Sequence, residues 1–284
     1  MKSAYILAAY RTPGCRAKKG KFKDVRPDDL GAIALKNLVE RTGINTEEID
    51  DVILGCAFPE GEQGMNMARV IAMKAGLPIT VPAQTINRFC SSGLQTIAMA
   101  AAQVMIGSAD CIIAGGVESM SCVPMGGNKY SANPGLVSEW PESYASMGTT
   151  AEMVAEKYDI KREDMDTFAY NSHLKATKAI ETGNFEAEII PVEIEKVWLE
   201  KEKVKKKKET VTIDDGVRTD TTIEGLSKLR PVFNVKGSVT AGNSSQTTDG
   251  AAVALVVSEA FLKKINKDPV ARFIDFKVVG CAPE

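Results

Sequence analysis

Three things are scarce in this sequence: net charge, histidine, and cysteine at metal-ligating spacing. Thirty-five Lys and Arg stand against 37 Asp and Glu, a formal charge of −2. That balance gives no support for a general nucleic-acid binder. The apolar stretches are interrupted before the roughly 18–20 residues that would span a bilayer. Six cysteines (15, 56, 90, 111, 122 and 281) are scattered without CxxC or other metal spacing, and a chain of this size does not need disulfide staples. The first residues, MKSAYILAAY, run straight into a strand-like pattern, with neither a cleavable signal nor an Arg-rich transit segment. A reducing cytoplasm is the simplest reading. A processed organellar protein with its targeting segment removed remains the alternative.

What is present is ordinary for a globular chain. Apolar residues make up 44% and charged residues 25%, with 23 Gly and 12 Pro in 284 residues, which excludes a collagenous or disordered chain. At about 150 residues per domain the length gives two domains or one large one. A chain this long buries about three quarters of its unfolded surface.

The patterning predicts alternating strands and helices. SAYILAAY (3–10) reads as a buried strand ended by Thr12-Pro13, followed by a helix near 30–42 with Asp28 and Asp29 as N-caps and Gly43 as its stop. A second strand fits 50–58, a helix 66–75, a third strand 82–87, a long helix 91–106 and a fourth strand 111–114. Strands apolar on both faces and separated by helices imply an α/β fold with a mostly parallel sheet covered on both sides. From about 117 to 240 the character changes. Gly, Asn, Ser and Pro dominate 119–149, two helices fit 150–158 and 162–182, and residues 196–213 hold seven Lys and three Glu, read as a solvated hairpin or loop. A fifth strand at 251–258, a short helix at 259–265 and a last strand at 271–280 complete the pattern.

Cys90 sits where the third strand meets the long helix, in NRFCSSG. A thiol at a helix start faces backbone N–H groups without partners and the positive end of the dipole, which favours thiolate. The same N–H groups can hold a developing oxyanion. On physics alone, a small buried cysteine is the competing reading.

NRFCSSGLQTIAMAAAQVMIGSADCIIAGGVESMS (87–121) resembles the nucleophile segment of thiolases, the acetyl-CoA C-acyltransferase family. YRTPGCRAKKGKF (10–22), MGTTAE (147–152), KLRPVF (228–233) and GSVTAGNSSQTTDGAA (237–252) resemble its opening strand and turn, pantetheine channel, CoA-binding loop and return to the sheet. The resemblance implies a thiolase-like, mixed and mostly parallel α/β sheet with a long loop insertion. Its divisions are a half-domain over 1–118, a CoA-binding insertion over 119–248, a return strand and helix over 249–268, and the start of a second half over 269–284. It also implies Cys90 as nucleophile of a thiolytic cleavage of 3-ketoacyl-CoA, or of the reverse condensation of acetyl-CoA, in fatty acid metabolism. No metal or redox cofactor is implied, since the CoA thioester is the substrate.

By motif position, Arg218 is the expected contact for the adenine-phosphate end of CoA. Leu226, Leu229 and Phe233 would line the nucleotide and pantetheine walls, Ser245 would bond the pantetheine amide, and Met147 would shape the floor near the acyl chain. Beside this, the three apolar residues also read as core, Arg218 as a loop charge and Ser245 as a turn cap. Acetoacetyl-specific members carry His where this chain has Ser146, which leans the reading toward degradation.

The family's second half brings a NEAF-type segment, a GHPxG histidine and a CxG cysteine, and these 284 residues contain none of them. The expectation is therefore a first half with its insertion, inactive alone, that forms a homo-oligomer or associates with a C-terminal half. The one histidine, His173, reads as an ordinary helix residue. A non-catalytic acyl-CoA-binding or subunit-assembly protein is the alternative. A decarboxylating ketoacyl synthase fits the motifs poorly.

Overall fold

A computed structural model describes residues 2–284. Chain order begins β1 (Ala4–Arg11), β2 (Cys15–Arg16), α1 (Pro27–Thr42), β3 (Asp51–Gly55), α2 (Met67–Lys74), β4 (Ala83–Ile86), α3 (Ser92–Ile106) and β5 (Cys111–Ser119). The N-cap of α1 is Arg26, with Pro27 following, where its missing N–H costs nothing. Asp28 and Asp29 therefore lie inside the first turn rather than capping it, and their charges complement the dipole there. Gly43 closes α1 at φ 64°, its N–H on the Val39 carbonyl.

Further along come α4 (Pro134–Glu139), α5 (Met147–Lys157), α6 (Arg162–Glu181), β6 (Val192–Glu200), β7 (Lys203–Val211), α7 (Ile223–Ser227), β8 (Thr248–Ser258), α8 (Glu259–Ile265) and β9 (Ala271–Arg272). The chain forms two compact units. The first comprises residues up to 128, 186–216 and 247–276; the second comprises 129–185, 217–246 and 277–284. Segment 186–216, inside the block expected as one insertion, thus belongs to the first unit.

In the first unit the sheet order is β4-β3-β5-β8-β1-β9, with β2 beside β8. β3 runs parallel to β4 and β5, whereas β8 is antiparallel to both β5 and β1. So β1, β3, β4 and β5 share one direction, and β8 enters between β5 and β1 from the opposite end. The sheet is mixed and mostly parallel.

Side chains alternate between its faces as a period of two requires. Val52, Leu54, Ile113 and Leu255 pack with Leu30, Leu35, Leu38, Ile71 and Phe261 of α1, α2 and α8. Ile53, Ile112, Ala114 and Val256 pack with Ala100, Ala101 and Val104 of α3. Each fully buried Leu or Ile contributes about 1.5–3 kcal/mol, so both faces carry real core. Phe89–Ile106 averages a hydropathy of 1.3 over 18 residues, long and apolar enough by composition to span a bilayer. Polar Ser91, Ser92, Gln95, Thr96 and Gln103 interrupt that stretch. Within the fold, α3 instead lays its small residues on the sheet, which accounts for their size.

The strand expected over 271–280 stops at Arg272. β9 runs antiparallel to β1, with Ala271 opposite Ile6 and Arg272 opposite Tyr5, so β1 has no further residues to pair with 274–280. The lysine-rich segment is the hairpin β6–β7. Val192, Ile194 and Val211 root it in the core while Lys203 and Lys205–Lys208 are exposed.

Candidate active site

Cys90 is exposed and lies in a 3-10 turn, Phe89–Ser91, immediately before α3. Three residues separate it from the end of β4, so it stands at the carboxyl ends of the parallel strands, where open α/β sheets place their ligands. The start of α3 is drawn tightly onto β3 and β5. A side chain at Gly55 would meet the Ser92 Cβ at 2.5 Å, and Thr96 Oγ1 donates to the Gly115 carbonyl at 3.0 Å. Ser92 Oγ closes the turn, donating to the Phe89 carbonyl at 2.6 Å and accepting the Arg88 N–H at 2.8 Å. The first N–H groups of such a turn have no carbonyl one turn earlier to bond.

Other thiols of this unit are placed differently. Burial first, and then Asp215, pushes the Cys15 thiol up to about 12. Burial and then Glu118 do the same to Cys56. Cys111 is fully buried and its pKa is raised, by burial and then by Asp50. Cys281, in the second unit, is exposed, and the residues directly before it form no strand.

The six expected CoA contacts all belong to the second unit. Leu226 is buried in α7, whereas Leu229 and Phe233 follow that helix and are 39% and 47% exposed. Leu226 and Leu229 converge on Gly242, whose missing side chain leaves them room. The Phe233 ring lies against Gly148 in the same way, next to exposed Met147 at the start of α5. Ser245 is exposed and its hydroxyl donates to the Gln246 carbonyl at 3.2 Å. Arg218 is exposed too, and its N–H donates to His173 Nδ1 at 3.2 Å. Ser146 caps α5, accepting the Thr149 N–H at 3.2 Å.

Several residues that sequence reasoning passed over build this unit. Buried Asp166 pairs with Arg162 at 2.8 Å. Arg162 Nη2 donates to the Leu226 and Leu229 carbonyls at 2.7 and 3.0 Å, and Asn243 donates to Asp166 at 3.0 Å. One ion pair on α6 therefore fixes both the end of α7 and the AGNSS loop. A charge whose i,i+4 partner is of opposite sign was visible in the sequence, but its burial was not.

Residues 4–260 match the family described as thiolase, N-terminal domain. The chain belongs to the thiolase family. It is 51% identical to the 3-ketoacyl-CoA thiolase of Bacillus subtilis (strain 168), an alignment covering all of this chain and 73% of that protein. It is 41% identical to a "Probable acetyl-CoA acyltransferase" of Staphylococcus aureus (strain COL), covering all of this chain and 75% of that one. The crystal structure of the Bacillus anthracis acetyl-CoA acetyltransferase superposes with a TM-score of 0.83 at 37% identity, over 96% of this chain and 69% of that chain.

Proposed function

We propose that the protein is a thiolase-type acyltransferase in which Cys90 carries the acyl group. The observation that supports this most directly is an exposed thiol in the turn that opens α3, in a chain of this family. Cys90 sulfur attacks the keto carbon of a 3-ketoacyl-CoA. The Cα–Cβ bond breaks, its electron pair passes to the enolate of acetyl-CoA, and a proton at Cα completes that product. A second CoA thiol then takes the acyl group from sulfur and frees Cys90. Splitting one carbon–carbon step into two acyl transfers gives ping-pong kinetics. The electron sink is the thioester of the substrate. Arg218, Leu226, Leu229, Phe233, Ser245 and Met147 hold CoA, and the protein works in the cytoplasm as a homo-oligomer or with a C-terminal thiolase half.

Incubation with acetyl-CoA followed by peptide mapping tests this. An acetyl group on Cys90, absent in Cys90→Ser, is the expected result. Arg218→Ala should weaken CoA binding by about 1.5–3 kcal/mol and Ser245→Ala by nearer 1. Acetyl found on Cys281 alone would refute the assignment. Tight CoA binding with no acylation would favour the acyl-CoA-binding alternative.

A further inference from the structure

The turn that carries Cys90 is held by a series of contacts that acyl transfer itself does not use. Asn87 spans two segments: its Nδ2 donates to the Ala57 carbonyl at 2.9 Å, and its Oδ1 accepts the Phe89 N–H at 2.7 Å. The Ala57 peptide is gripped from its other side, where its N–H donates to Glu118 Oε2 at 2.6 Å. Glu118 Oε1 in turn accepts from Nε2 of fully buried Gln63 at 2.6 Å. Gln63 also donates to the Phe58 carbonyl at 2.8 Å and accepts the Ser119 N–H. The Phe58 ring leans on the Phe89 ring at 6.0 Å between centroids.

All of this converges on Phe89, whose φ is +45°. A non-glycine residue holds that left-handed conformation only where its surroundings over-determine it. Phe89 is the residue directly before Cys90, so its backbone angles set where the Cys90 side chain and amide point.

We propose that Asn87 and Glu118 are positioning residues for Cys90. Glu118 fixes the Ala57 peptide, and Asn87 carries that fixed point to the Phe89 amide. Phe89 is thereby kept left-handed, with the Cys90 thiol and the N–H groups of its turn in one geometry. The inference rests on the reading of Cys90 as the acyl-carrying nucleophile. It gives Asn87 and Glu118 no contact with substrate, so their loss should slow acylation without weakening acyl-CoA binding.

The test measures Cys90 acylation by acetyl-CoA as a function of concentration, Cys90 alkylation by iodoacetamide across pH, and thermal unfolding. The variants are Asn87→Ala, Glu118→Gln and the double Asn87→Ala/Phe89→Gly. Asn37→Ala, which loses a side-chain bond to the Ile33 carbonyl within α1, serves as control. Asn87→Ala and Glu118→Gln should acylate about tenfold more slowly at saturation, the scale of a small misplacement of the reacting atom. Half-saturation should stay within about twofold. Glycine adopts positive φ without help, so the double variant should recover about threefold over Asn87→Ala. Asn37→Ala should match the parent protein. An unchanged rate in Asn87→Ala, or a loss that merely follows the fall in melting temperature in every variant, control included, overturns the proposal. Should the parent itself fail to acylate, the acyl-transfer reading falls. The alkylation arm still decides positioning: equal Cys90 rates and pH profiles in parent and Asn87→Ala refute it. Asn87 is exposed, so its variant remains a folded probe even where Glu118→Gln is not.

Discussion

Glu152 and Ser238 are joined twice, through the Ser238 N–H at 2.9 Å and its hydroxyl at 3.3 Å, both on the Glu152 Oε2. The other oxygen accepts the Val239 N–H at 3.0 Å. One carboxylate on α5 thus organises the start of the GSVTAGNSS segment within the second unit. Glu152→Ala should cost about 1–3 kcal/mol of that unit's stability, because three donors lose a charged acceptor. Glu152→Gln, which keeps one acceptor oxygen, should cost less. Urea unfolding followed by a probe in the second unit checks both, and an unchanged midpoint in Glu152→Ala would show that the carboxylate holds nothing.

The thiols should separate into two classes. Cys15 and Cys56 are pushed to about 12, Cys111 is raised by burial and then Asp50, and Cys122 is raised chiefly by burial. A raised thiol pKa keeps the neutral, unreactive form below that value, so at about pH 8 these four should resist iodoacetamide. Cys90 and Cys281, both exposed, should react. Acetyl-CoA should slow labelling of Cys90 and leave Cys281 unaffected. Peptide mapping that found Cys56 reacting as fast as Cys90 would contradict the burial and the Glu118 contact that hold it protonated.

Much of the architecture was legible because it is written in local pattern. Runs apolar on both faces marked β1, β3 and β5, Gly43 marked the end of α1, and NRFCSSG marked the start of α3. What escaped was set by contacts between residues far apart in the chain. Nothing near 271–280 reveals that β1 begins only at Ala4 and leaves that segment unpaired. Nothing near Asn87 reveals that its amide meets Ala57, which Glu118 holds from a third strand. A side-chain bond to a distant carbonyl leaves no period in the sequence. The six CoA candidates were found by motif alone. The packing of α7 and the AGNSS loop, which carry Leu226 and Ser245, depends on Arg162 and Asp166, and Glu152 ties α5 to the segment before that loop; all three look like ordinary helix-surface charges.

The hairpin should respond to acid through Glu209. Its carboxyl is lowered to about 2, first by the bond from Lys196 and then by that from Lys21, and the Lys196 contact is 2.5 Å long. A carboxyl depressed on folding adds stability above its unfolded value of 4.5, and that contribution is lost as pH falls toward about 2. Glu209→Gln should therefore lower the melting temperature slightly near neutral pH, with the difference from the parent vanishing toward about pH 2. Salt should shrink it as well, since the group is partly exposed to solvent. A difference that persisted in acid would mean that packing, not charge, joins the hairpin there.

The 284-residue chain assayed by itself should form acyl-Cys90 and stop. Releasing the acyl group to CoA and moving the Cα proton call for an imidazole or a second thiol as acid and base. The only imidazole is His173, and its Nδ1 is occupied in accepting the Arg218 N–H at 3.2 Å. Cys281, the other exposed thiol, lies in an irregular segment, without a scaffold to hold it in a fixed pose. Members of a catalytic unit act together, and removing one of them costs several orders of magnitude. A thiolysis assay with acetoacetyl-CoA and with a longer 3-ketoacyl-CoA should therefore show no turnover, while mass spectrometry shows at most one acyl group per chain. Co-expression with a C-terminal thiolase half should restore turnover, and Cys90→Ser should abolish it again. Sustained turnover by these residues alone would overturn this account and make His173 or Cys281 the missing base, which His173→Ala and Cys281→Ser would then tell apart.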